Sequence, residues 1–165
     1  MISAAATAIA RAAASQDVAT GSCVRLAIGL GCDRGTPEAT VEACLREALA
    51  QAGARIDQVA VAASIEAKRD EAAFLSLAAR HGWPLRWYAA ARLATVPVPN
   101  PSETVLRYMG TPSVSEAAAL LAAGAADASA LLVEKHRLRG PDGRNATVSI
   151  ARIPPASQGT SDSGG

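Results

Sequence analysis

Apolar positions along this chain follow two rhythms. Short runs rich in apolar residues, at 24–30 (VRLAIGL), 57–65 (DQVAVAASI), 85–88 (LRWY), 130–137 (ALLVEKHR) and 146–153 (ATVSIARI), have the length and composition of strands. Between them, apolar residues recur at three- and four-residue spacing, as on one face of a helix. From Thr36 to Gly53 that face holds Val41, Cys44, Leu45, Ala48 and Leu49, with Thr36 as cap and Pro37 in the first turn. Lys68-Arg69-Asp70-Glu71 opens a second helix whose buried stripe reads Ala72, Leu75 and Ala79 and which stops around His81-Gly82. Thr95 to Pro101 alternates proline with other residues and is therefore an extended segment. A helix restarts at Asn100-Pro101-Ser102-Glu103, and Gly110-Thr111-Pro112 breaks it. Ser113-Val114-Ser115-Glu116 has the form of a capping box and opens a helix running to about Ala123.

Strands alternating with helices predict an α/β fold: a three-layer α/β/α arrangement around a mostly parallel sheet of about five strands. The turn Gly140-Pro141-Asp142-Gly143 joins the last two strands as a hairpin, which makes an antiparallel C-terminal edge strand. Trp83 or Trp87 is expected to cover a helix–sheet seam. The expected organisation is a flexible N-terminal segment over 1–22, one domain over 23–153 and a disordered tail over 154–165, rich in proline, serine and glycine.

Composition narrows the function. The 165 residues carry a net charge of +1, so no global field recruits nucleic acid or an anionic membrane, and attraction for anions has to be local. Half of the residues are hydrophobic but only 3% are aromatic, which leaves packing to alanine, leucine and valine. No run of about 18 apolar residues predicts a membrane span. The alanine-rich start lacks the basic opening of a signal peptide, and Arg11 interrupts it. Cys23, Cys32 and Cys44 have neither metal-ligand spacing nor the even count of a disulfide framework, which fits a reducing cytoplasm.

Candidate chemistry gathers at one sheet edge. Gly29-Leu30-Gly31-Cys32-Asp33-Arg34-Gly35-Thr36 joins the first strand to the first helix, an order that offers backbone N–H groups to an anion. The motif is neither a dinucleotide fingerprint nor a phosphate loop. In open α/β sheets the ligand crevice lies beyond the carboxyl ends of the strands. Three segments share that edge: 29–36, 64–71 and 89–102.

Six motifs in one order resemble the CobE family of cobalamin biosynthesis, which is similar to the C-terminal domain of CbiG, the cobalt-precorrin-5A hydrolase. They are GLGCDRGT at 29–36, Lys68 with Asp70-Glu71, VPNPSETV at 98–105, GTPSVSEAAAL at 110–120, LLVEK at 131–135 and ATVSIAR at 146–152. The resemblance spans roughly 24–153 and implies a three-layer α/β/α fold with a place in corrin-ring assembly. CbiG opens the ring A lactone of its substrate and releases a two-carbon fragment. Its additional N-terminal region has no counterpart in this sequence, so the chain is more similar to CobE of the aerobic route, for which no firm reaction is assigned.

A precorrin or corrinoid intermediate carries many carboxylates and calls for dispersed N–H groups, cations and an apolar wall. Gly29, Gly31, Arg34, Gly35, Thr36, Lys68, Ser102, Ser113 and Lys135 are the candidate ligand-binding residues, with Arg69 and Ser115 close by. Lys68 and Glu71 are the only local pair suited to polarise and deprotonate at one carbonyl, the requirement of a CbiG-like hydrolase. Plainer roles stand beside these. Arg34 also fits a solvated loop, and Lys68 with Glu71 fits a helix-surface pair. Glu103 and Glu116 fit helix N-terminal acids, and Lys135 a snorkelling strand residue. Cys32, beside a helix N-terminus that lowers thiol pKa, fits a small turn residue, and His81 and His136 fit element ends. No cofactor and no metal are implied. Expected partners are the corrinoid intermediate, corrin-pathway methyltransferases and a second copy of the chain. The competing readings are a CbiG-like hydrolase and a generic α/β anion- or nucleotide-binding module.

Overall fold

A computed structural model describes residues 24–155; the N-terminal segment 1–22 and nearly all of the 154–165 tail lie outside the described residues. Strand β1 (Leu26–Cys32) is followed by helix α1 (Glu38–Ala52), β2 (Val59–Ile65), α2 (Ala72–His81) and β3 (Leu85–Tyr88). Two short helices come next, α3 (Ala90–Leu93) and α4 (Glu103–Met109), then α5 (Val114–Ala123) and the hairpin β4 (Leu131–Arg139) and β5 (Asn145–Arg152). The sheet order is β3-β2-β1-β5-β4. β1 pairs in parallel with β2, and β2 with β3, while β5 runs antiparallel to both β1 and β4. The predicted α/β class and the antiparallel C-terminal strand are therefore present. The strand's place is corrected: β5 is interior and β4 takes the edge, because Val148 to Ala151 are buried on both faces of β5 whereas β4 keeps exposed residues along its length.

α1 and α2 cover one sheet face, where Leu26, Ile28, Leu30, Val148 and Ile150 meet Val41, Leu45, Phe74 and Leu77. α5 covers the other, against Ala27, Val61 and Ala151 and, nearer the carboxyl edge, Ala63 and Ile65. The stripe expected on α2 was out of phase. Ala73, Phe74, Leu77 and Ala78 face the core, whereas Leu75 is 44% exposed. The helix begins at Ala72 with Glu71 as its N-cap, after a 3-10 turn over Glu66–Lys68. Counting turns from Lys68 rotated the stripe away from Phe74, the bulkiest fully buried side chain. Trp83 packs in that core, at its margin, and Trp87 lies against it.

The glycine motif is divided between strand and turn. Gly29 and Gly31 lie within β1, and only Asp33 to Gly35 form the turn, with Gly35 at φ +79°. Thr36 does not cap α1; its buried hydroxyl donates to Asp33 O at 2.7 Å, and Pro37 holds the N-cap position. Gly29 is where α5 crosses β1. A Cβ there would lie 1.9 Å from Ser115 O and 2.7 Å from Ala119 N, both backbone atoms of the helix. No side-chain rotation relieves such a contact. Gly29→Ala is expected to cost about 3 kcal/mol or more, which calorimetry should register as a Tm lower by about 6–12 °C. Gly31→Ala, which meets only the Thr147 hydroxyl, at 2.6 Å, should cost less than half of that.

Candidate functional site

Helix α5 begins at Val114, so it leaves uncovered the sheet face at the carboxyl end of β1 and the start of β5. A cleft of about 430 Å³ occupies that space. Its floor is Gly31, Cys32, Ile65 and Thr147, its far wall is Lys135, Arg137 and Asn145, and Val114 and Ser115 close one end. Ser102, Thr104, Val105, Tyr108 and Met109 of the α4 segment form the roof, and Lys68 and Asp33 complete the lining. The absence of a side chain on Gly31 keeps the floor low.

Lys135 and Arg137 share by ordinary alternation the face of β4 that Leu131 presents on the α5 side, although the strand is irregular between them. Its pairing with β5 shifts between Leu131 and Val133 and again between Val133 and His136. Val133 is thereby turned to the α1 side, with His136, while Arg137 pairs with Thr147 on the cleft side. The residue that these irregularities re-aim is Val133, which leaves the cleft face for the α1 core. Ser149 supports the arrangement, its buried hydroxyl bonding to Glu134 O and to the Ser115 hydroxyl. Lys135 Nζ donates to Asn100 O at 3.0 Å. Burial holds the Lys135 ammonium below the usual lysine pKa; Glu116 opposes that shift and Arg137 adds to it.

Lys68 and Glu71 are each only 4% exposed, which replaces the helix-surface pair with a buried one. Lys68 Nζ lies 4.0 Å from Glu71 Oε1 and makes no hydrogen bond among the described residues. Glu71 Oε2 accepts the Gly35 N–H at 3.0 Å, and Oε1 stands 3.4 Å from the Arg34 guanidinium without a hydrogen bond. Glu71 thus braces the glycine turn from behind, and Lys68 of the pair is the member that lines the cleft.

Of the residues singled out by sequence, the fold brings Gly31, Lys68, Ser102 and Lys135 to one cleft. Gly29 is consumed by packing against α5. Arg34 points to solvent, bonding Asp70 at 2.7 Å and Ala67 O at 2.9 Å. Gly35 gives its N–H to Glu71, and Thr36 its hydroxyl to Asp33 O within the turn. Ser113 is buried at the start of α5, caps nothing and has no partner for its hydroxyl. The capping box expected at Ser113–Glu116 is absent, because Glu116 reaches instead to Asn100, accepting from its N–H at 3.3 Å and its Nδ2 at 2.6 Å. Ser102 does cap α4, accepting from Val105 N at 3.2 Å.

Sequence reasoning does not single out Arg137, Thr147 or Tyr108, and it gives Glu116 only the role of a helix N-terminal acid. The signals were legible in hindsight: Thr147 and Ser149 alternate with apolar residues in a strand buried on both faces, and Glu116 is the one acid in a helix otherwise buried nearly all round. Among the described residues no group of three or more histidine, cysteine or acidic side chains is placed to hold a metal ion. None of their helices is long and apolar enough to cross a membrane. His136 is held by Gln51 and Glu47 of α1 at 2.7 Å each, and His81 stacks on Trp83.

The fold and the cleft define a three-layer α/β protein with a cation-rimmed pocket at the carboxyl edge of its sheet. The family model described as the cobalamin synthesis G C-terminus matches residues 26–151, and the chain belongs to that family. It is a cobalamin biosynthesis protein. It is 37% identical over 129 residues to the cobalt-precorrin-5A hydrolase of Priestia megaterium, which covers 78% of this chain but 32% of the hydrolase. Protein CobE of Sinorhizobium sp is 41% identical over 101 residues, 60% of this chain and 66% of that protein. The chain therefore spans about a third and just under two thirds of these relatives. The crystal structure of CobE, a protein from the cobalamin (vitamin B12) biosynthetic pathway, matches with a TM-score of 0.68 at 33% identity, over 79% of this chain and 92% of that one. A cobalamin biosynthesis protein G homolog from Sulfolobus solfataricus, at 16% identity and a TM-score of 0.58, shares the fold.

Cys32 is neither a turn residue nor an activated thiol. It ends β1 rather than standing at a helix N-terminus, and burial pushes its thiol up to about 11. A thiol so placed is a poor nucleophile at neutral pH. Peptide mapping after iodoacetamide treatment of the folded protein at pH 7.5 should find Cys32 unmodified, with alkylation appearing only on denaturation.

Proposed function

We propose that the cleft binds a precorrin or corrinoid intermediate through its peripheral carboxylates. The observation that carries this reading is the convergence of Lys68, Lys135 and Arg137 on a half-apolar cleft whose only acidic lining residue is Asp33. Charge-assisted bonds from dispersed cations suit a many-armed acid, and Ile65, Val105, Met109 and Val114 offer the apolar wall that its ring requires. The family's place in cobalamin biosynthesis supplies the class of acid. Glu71 is excluded from the lining and engaged by Gly35, which favours binding and handover over turnover. Handover to pathway methyltransferases extends this reading, as does a homodimer. Anion binding of the generic nucleotide kind rested on the family resemblance failing, and the resemblance holds.

Titration with hydrogenobyrinic acid, followed by visible absorbance, tests the reading. A saturable spectral change is expected, and its absence at high protein concentration would sink the proposal. Lys135→Met and Arg137→Met should each raise Kd about tenfold, equivalent to ~1.4 kcal/mol, with little change in Tm.

The pH dependence has a definite sign. The free Lys135 pKa lies below the ordinary 10.5 because of burial, and a bound carboxylate raises it. Binding should be strongest below the free pKa and weaken as pH climbs through the higher pKa of the complex. Proton uptake on binding, measured by calorimetry in two buffers, should appear in that alkaline window and vanish in Lys135→Met.

A second reading, hydrolysis like that in the name of the Priestia megaterium relative, draws on one observation: Glu71 Oε1 is buried beside Lys68 without a hydrogen bond. Incubation with a ring-contracted precorrin should then give a mass change that Lys68→Ala abolishes. An unchanged mass leaves binding alone.

A further inference from the structure

We infer that residues 102–110 form a hinged flap that closes over the bound macrocycle, so that ligand access is gated by α4. This inference rests on the binding reading of the same cleft. Helix α4 has no buried residue, although Val105, Leu106, Tyr108 and Met109 are apolar or aromatic. Leu106 is 48% and Tyr108 77% exposed, an uncommon cost for large side chains beside an open cleft. Only Val105 and Met109 touch the core, and both remain partly exposed.

Both ends of the segment are fixed at one point. Ser102 N donates to Pro112 O at 2.8 Å, closing residues 102–112 into an excursion with a narrow base. Upstream, Asn100 is gripped by Glu116, by Glu134 at 3.1 Å and by Lys135 at 3.0 Å. Downstream, Thr111 is fully buried and leads into α5. The base is therefore rigid and the excursion is weakly held, which is the mechanical definition of a flap.

Two hydroxyls at the hinge add an independent sign. Thr111 Oγ1 and Ser113 Oγ are buried, at 0% and 1% residue exposure, and neither has a hydrogen-bond partner among the described residues. Unsatisfied buried hydroxyls are rare and costly. They mark a hinge arrangement that is not the one of lowest energy once the flap moves. Gly110, at φ +78°, supplies the pivot between α4 and this pair. Closure carries Tyr108 and Met109 onto the ring, covering its apolar surface while Lys68, Lys135 and Arg137 hold its acids from below.

The ligand-free protein tests the flap itself. In hydrogen exchange, amides of 105–110 should exchange at least about a hundredfold faster than those of 118–121 in α5. Equal protection in the two helices would overturn the flap. Closure is tested by trypsin, since Arg107 is the basic residue of α4 and cleavage after it requires the flap to unfold locally. Hydrogenobyrinic acid should slow that cleavage at least about tenfold, read as the rate at which the 107/108 peptide ends appear. An absorbance titration that shows binding while cleavage stays unchanged overturns closure and leaves the binding reading standing. No absorbance change removes both. Thr111→Val loses no bond in the free protein and should keep its Tm, yet ligand protection at Arg107 should fall at least threefold. Undiminished protection would exclude the hinge hydroxyl from the closed state.

Discussion

The contact on which the structure turns is the crossing of α5 over β1 at Gly29. With helix backbone less than 2 Å from where a Cβ would stand, strand and helix touch main chain to main chain. That approach fixes how far along the sheet α5 can lie, and hence where its first residue falls. Beyond Val114 α5 no longer covers the sheet, and the floor at Gly31 and Thr147, roofed by the α4 segment, becomes the cleft. A glycine that seemed fit to greet a ligand instead positions the helix that leaves the ligand room.

Electrostatics are arranged within this frame by burial rather than by net charge. A chain of net charge +1 gathers Lys68, Lys135 and Arg137 at one cleft, and most acids nearby are already committed. Glu116 is taken by Asn100, Glu71 by Gly35, and Asp70 by Arg34. Burying Lys68 and Glu71 together at 4.0 Å is a weak source of stability, because desolvation offsets attraction. Such a pair is better understood as a cation kept available to the cleft, with its counter-charge held one step behind. Membership of the cobalamin synthesis G C-terminus family gives that concentration of cations a biological setting.

Sequence patterns carried the architecture well because periodicity reports burial directly. The α1 stripe, the five strands and the hairpin at Gly140–Gly143 follow from local composition, and all six family motifs contribute lining residues to the observed cleft. α2 escaped by one helical phase, since a 3-10 turn shifted its start and only packing reveals which face Phe74 occupies. α3, a single turn at Ala90–Leu93, left no periodic trace. The hydrogen-bond partners were beyond reach: Glu116 and Asn100 are sixteen residues apart, and nothing local says that an acid at the start of a helix will turn from its own cap to a neighbouring loop.

The sequence alone determined the α/β class and the family, and it pointed to the carboxyl edge, where the candidate cleft lies. It also singled out Gly31, Lys68, Ser102 and Lys135, which the fold brings to one cleft. Tertiary structure decided which glycine packs and which lines a floor, that β5 lies inside the sheet, and that two register shifts turn Val133 away from the face of Lys135 and Arg137. The division has one cause. Strand and helix periods are local and can be read in order, whereas register shifts and main-chain approaches depend on atoms distant in the chain, which meet only after folding.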